Sequence, residues 1–208
     1  MRPSLDQVER TLTRKGAATR QRIVEGAAAE IRERGVLRTT LDDVTARTRT
    51  SKSQLFHYFP DGKDELLLAV AHHEADRVLA DQQPHLGDLS TWAAWQAWRD
   101  TLVARYRAQG EHCPLATVNS ELGRNSPGAR AVSAELMRRW RGEIAEGIRR
   151  LQATGQVDPA LDATRSAAAL LAGIQGGVLL LLTTGSSDPL EAALDVGIAH
   201  LKQSAVKR

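Results

Sequence analysis

Along most of the chain apolar residues return every three or four positions with charged residues between them, the spacing of one buried helix face. Almost nowhere do they alternate in the two-residue rhythm of a strand, so the pattern predicts an all-α protein. From Thr19 to Arg34 the recurring set is Ile23, Val24, Ala27, Ala28 and Ile31, and Gly35 stands where a helix-ending glycine belongs. Thr40, three residues before Asp43, forms a capping-box pair that opens a short helix with Leu41, Val44 and Thr48 inward. Ser51 and Gln54 repeat the pair and open a second short helix, Lys52 to Phe59, whose apolar stripe is Leu55, Phe56 and Phe59. Pro60, Asp61 and Gly62 stop it.

Longer helices follow: Lys63 to Asp81, Thr91 to Gln109, a short one at Pro114 to Leu122, Ala129 to Thr154, Asp162 to Thr184 and Asp188 to Ala205, about nine in all. The stretch Ser166 to Gly185 runs without a charge for about the length that crosses a membrane. Gln175, three glycines and several alanines dilute it and no aromatic belt flanks it, so it reads as a helix buried in protein, and no membrane contact is expected.

Composition narrows the class. With 208 residues, 42% hydrophobic and 25% charged, the chain is too apolar for a disordered protein. One cysteine excludes a disulfide framework within the chain, and Met1 to Lys15 holds no apolar signal-peptide core, so a reducing, cytoplasmic setting is expected. The net charge is only +3, but between Arg10 and Lys63 twelve basic residues face six acidic ones, which points to a polyanion for the N-terminal third. No nucleophile elbow, zinc helix, Walker loop or dinucleotide fingerprint appears, so neither a cofactor nor a metal is expected. His72, His73, Glu74 and Asp76 cluster on one helix but lack evident further ligands.

Two capped short helices joined by a few residues form the arrangement that lays the second helix in the DNA major groove. That helix offers Lys52, Ser53, Gln54, His57 and Tyr58. Lys and Gln pair with base edges, whereas Ser, Thr and Tyr suit phosphates. The stretch TTLDDVTARTRTSKSQLFHYFPDGKDEL, Thr39 to Leu66, resembles the signature of the tetracycline-repressor (TetR/AcrR) family of bacterial transcriptional regulators. The resemblance lies in the Thr before the first short helix, the Ser-Lys opening the second, the aromatic cluster Phe56 to Phe59, and Lys63 with Leu66; it covers about residues 19 to 66. It implies a flexible basic arm at 1–17, a three-helix helix-turn-helix domain at 18–65, and an effector-binding and dimerisation domain at 66–208. It also implies DNA contacts by Thr40, Ser51, Lys52, Ser53, Gln54, His57, Tyr58 and Lys63, with Arg10, Arg14, Lys15, Arg20 and Arg22 lying along the phosphates. Two positions depart from the family. Thr48-Arg49-Thr50 stands where Ala-Gly-Val is usual, so either Arg49 takes the left-handed position of that glycine or the turn adopts another geometry. Phe56 stands where a Tyr often contacts a phosphate, which leaves Tyr58 or Thr40 to carry more of the backbone binding.

For the C-terminal part the resemblance implies a small-molecule sensor that dimerises through its last two helices. Small residues make the helix from Asp162 thin, and the expected interface is Ala169, Gly173, Gly176 and Leu180 with Leu194, Ile198 and Leu201. The expected site for an apolar or aromatic effector is Trp92, Trp95, Tyr106, His112, Asn119, Met137, Trp140 and Gln175; packing in the core is the other reading of each aromatic. His112 to Ala116, followed by Glu121-Leu122, resembles the LmrA/YxaF-like subgroup. Cys113 is either a sensing thiol or a small buried hydrophobe. The expectation is a ligand-released repressor that binds a palindromic operator as a homodimer. A metal- or thiol-responsive regulator of the same fold and, remotely, a helical enzyme stay open.

Overall fold

The computed structural model describes residues 12–109 and 127–204. Among these are eight helices and no strand: α1 Arg14–Arg34, α2 Leu41–Thr48, α3 Lys52–Tyr58, α4 Lys63–Ala80, α5 Trp92–Gln109, α6 Pro127–Ala153, α7 Ala163–Thr184 and α8 Asp188–Gln203. The helix expected at 114–122, with His112, Cys113 and Asn119, lies outside the described residues, as does Arg10. Helix α1 begins at Arg14, five residues before the expected start at Thr19, so residues 14–17 form its first turn. The cause is Thr13, whose hydroxyl accepts from the Gly16 amide at 3.2 Å.

The described residues fall into two compact units, one holding those up to Arg77 with 127–133, the other Val78 to 109 with Ala134 to 204. In the first, Ile23, Val24, Ala27 and Ile31 of α1 bury against Val44, Leu55 and Phe59 of α2 and the α3 end. Gly26 lets α1 and α2 meet, since a Cβ there would lie 2.2 Å from Thr48 Cγ2. Ion pairs lock the frame: Glu30 accepts from Arg47 at 2.7 Å, and buried Glu74 on α4 pairs with Arg32 and Arg77.

The second unit has Trp95, Trp98, Trp140, Leu136, Ile144 and Ile148 fully buried at its centre. Helix α7 has the length and apolarity to cross a membrane, and here it packs along α8. Its capping residue Asp162 accepts from the Thr164 and Arg165 amides. The two helices approach through glycine: a Cβ on Gly177 would stand 2.4 Å from Leu190 Cα, and one on Gly197 2.5 Å from Leu170 Cδ1. Leu194, Ile198 and Leu201, expected at an interface between copies, are buried in this protomer, where Leu201 also lines the groove between α7 and α8. The amphipathic stripe of α8 marks burial but not against which chain, and α7 with α5 already covers it.

Candidate nucleic-acid interface

Both short helices open as their sequences require. Thr40 Oγ1 accepts from the Asp43 amide at 3.2 Å while the Thr40 amide donates to Asp43 Oδ2 at 2.9 Å, and Ser51 and Gln54 repeat the exchange at 3.1 Å each way. The hydrogen bonds from Thr40 hold the Asp43 carboxyl below its ordinary range. Between the helices Arg49 takes φ 52° and ψ 43°, the left-handed position, although it has a side chain. Buried Thr48 and Thr50 pin the turn. Their hydroxyls lie 2.8 Å apart, and Thr48 Oγ1 donates to the Val44 carbonyl at 2.7 Å.

Helix α3 presents Ser53 and His57 to solvent. Tyr58 is half-buried, its ring edge-on to His57 at 4.9 Å, and its hydroxyl lies near the first turn of α1 at Gly16. Lys52 is exposed, with its ammonium 2.9 Å from Asp42 Oδ1, and the Gln54 side-chain oxygen is engaged in the cap. Thr40 and Ser51 are exposed but likewise occupied as caps.

Three expectations are corrected. Phe56 is 47% exposed rather than inward, because Leu55 and Phe59 already fill the α3 face toward the core. Lys63 turns back into its own unit, donating to the carbonyls of Val36 at 3.1 Å and Thr39 at 2.6 Å, so it clamps the loop before α2 instead of reaching a phosphate. Arg20 is buried with its guanidinium 5.2 Å over the Phe59 ring and is not a surface cation. Arg49, exposed at the turn, is a cation the sequence reading treated only as a backbone anomaly.

Two family models match this chain: one described as Bacterial regulatory proteins, tetR family, over residues 23–70, and one described as Tetracyclin repressor-like, C-terminal domain, over residues 91–196. The chain belongs to the TetR family. An HTH-type transcriptional regulator of Mycobacterium tuberculosis is 30% identical over 145 residues, 62% of this chain and 71% of that protein. The HTH-type transcriptional regulator LmrA of Bacillus subtilis is 24% identical over 177 residues, 83% and 90% of the two chains. A crystal structure of a TetR transcriptional regulator from Chloroflexus aurantiacus superposes with a TM-score of 0.75 at 25% identity, covering 92% of this chain and 98% of that one. As a TetR-family member the protein is a helix-turn-helix DNA-binding transcriptional regulator, and α3 lies within the matched N-terminal segment.

In the second unit of this TetR-family protein the candidate effector residues divide by how their polar atoms are used. Trp95 donates to the Leu89 carbonyl at 3.0 Å and Trp98 to Gln82 Oε1 at 2.9 Å, with the two rings edge-to-face at 5.7 Å; both are satisfied core residues. Trp92 is half-exposed beneath the Lys202 ammonium, 5.4 Å from its ring. Tyr106 is buried and Met137 half-buried. Trp140 is fully buried, yet its indole N–H has no partner among the described residues, and the Gln175 amide nitrogen shares that state. Ala169 and Gly173 line an outward groove of about 610 Å³ between α7 and α8, with Val196 and His200 opposite. Gly176 and Leu180 are exposed on α7, and Leu179 and Val196 are exposed at 62% and 69%. Among the described residues no three His, Cys, Asp or Glu side chains gather as a metal site; Glu74 of the sequence cluster is instead buried against arginines.

Proposed function

We propose that this regulator is a cytoplasmic repressor that binds a palindromic operator as a homodimer and is released by a small apolar or aromatic molecule, with no catalytic role. DNA binding belongs to residues up to about 65, and effector binding and dimerisation to the remainder. The observation that carries the DNA part is the outward face of α3, where Ser53, His57 and Lys52 stand together behind two complete capping boxes. A short helix fixed at both ends of its turn presents these groups without a further ordering cost. The homodimer reading is supported by the exposed apolar face of Gly176, Leu179, Leu180 and Val196, continuous with the α7–α8 groove.

The effector reading is supported by the buried donors of Trp140 and Gln175, which have no partner among the described residues. Leaving such a donor unsatisfied costs about 1–3 kcal/mol, which a bound acceptor group would recover. Trp140→Phe keeps an aromatic ring and removes the N–H, so it separates the two roles of this side chain. In fluorescence-anisotropy titrations of an operator duplex with a panel of apolar aromatic compounds, the wild type should release DNA to some of them. Trp140→Phe should hold operator affinity within a few-fold and lose the response. A normal response in this variant would return Trp140 to the core.

A further inference from the structure

We propose that Phe56 is a specificity-determining residue that reads thymine in the operator through its C5 methyl group. The proposal rests on the reading that α3 enters the major groove. Phe56 is a large apolar side chain, 47% exposed, among otherwise polar outward residues of that helix. Its ring helps wall a depression of about 240 Å³, in which Leu41 and Leu55 are the other apolar members and Thr40, Asp42, Thr45 and Lys52 the polar ones. Its Cε1 lies toward the turn after α3, 3.6 Å from where a Cβ on Gly62 would stand. A phenyl group neither donates nor accepts, so a phosphate or a base heteroatom gives it nothing. Of the groups that base pairs present in the major groove, the thymine methyl is the apolar one. The longer polar side chains of α3 are partly occupied within the protein, Lys52 by Asp42 and Gln54 by its cap, which leaves apolar contact as an unencumbered means of discrimination. The excess of basic over acidic residues between Arg10 and Lys63, and exposed Lys52 on the wall of the depression, favour a polyanion over a protein as its occupant.

The test uses the full-length protein and an operator duplex recovered by selection, in which each thymine in turn is replaced by deoxyuridine. That exchange removes the methyl and leaves base pairing and every hydrogen-bonding group intact. One position in each half-site should lose affinity about fourfold, and both together roughly fifteenfold, as expected when one buried methyl is removed per site. Phe56→Ala should bind the thymine and deoxyuridine operators equally, and Phe56→Tyr should keep the preference. The wild-type scan does not depend on any variant folding. Uniform binding of every deoxyuridine operator by the wild type would overturn the proposal, as would a thymine preference that survives in Phe56→Ala. A protein that binds duplexes but selects no sequence would overturn the DNA-reading assignment and this proposal together.

Discussion

Arg49 holds a backbone conformation that costs an ordinary residue about 1 kcal/mol, because its Cβ crowds the following carbonyl in the left-handed region. The turn accepts this because the hydroxyl pair Thr48–Thr50 and the bond to Val44 over-determine its shape. Arg49→Gly should therefore raise stability by roughly 0.5–1 kcal/mol, the gain being trimmed by the greater freedom of glycine in the unfolded chain. Thermal unfolding followed by circular dichroism would show it as a rise of about 2 °C in Tm. An unchanged or lowered Tm would mean that the guanidinium has a stabilising partner. Asp43 adds a pH dependence at the same scale. Its folded-state pKa is lowered by the hydrogen bonds from Thr40, so its contribution is present above the ordinary aspartate range and is lost as pH falls through the lowered value. Acid titration of stability should show a component below about pH 4 that Asp43→Asn removes.

At the scale of helices, the starts of α2 and α3 were legible in the sequence because a capping box is local: donor and acceptor are three residues apart and need no other part of the chain. Residues whose role depends on what packs beside them were not. Lys63 looked like a phosphate contact until the carbonyls of Val36 and Thr39, 27 and 24 positions away, were brought to its ammonium. Phe56 was counted inward because its stripe gave no means to tell a third apolar residue from the two that suffice. Glycines of α7 show the same limit: their smallness was read for contact between copies, yet Gly177 serves the approach of α7 to its own α8. Gly177→Ala should cost about 1–3 kcal/mol, since its Cβ meets backbone atoms that no rotamer change can move. Gly142→Ala in α6, with nothing within 4 Å, should instead gain up to about 1 kcal/mol from helix propensity. Denaturant unfolding of the two variants would check the contrast, and equal effects would contradict the packing described for Gly177.

For the molecule as a whole, the fold class was legible from the helical periodicity and the DNA-binding function from the capped helix pair with its family resemblance, whereas the partition of α7 and α8 between inner core and outer face required the folded chain. The outer face retains Gly176, Leu179, Leu180 and Val196, and dimerisation through it would set the distance between two recognition helices. Gly176→Arg adds a charge at a point that is open in the protomer, so it should leave the fold intact and give a monomer in sedimentation velocity, with operator affinity falling at least tenfold. A variant that stays dimeric would place the interface elsewhere. The most direct test of the regulator as a whole is selection from a pool of random duplexes by the full-length protein, followed by sequencing. Two α3 helices related by a two-fold axis should enrich an inverted repeat whose half-site centres lie one helical turn apart, roughly 34–36 Å, or a multiple of it. A pool that enriches only single, unrepeated sites, or none, would contradict a dimer that reads its operator with α3.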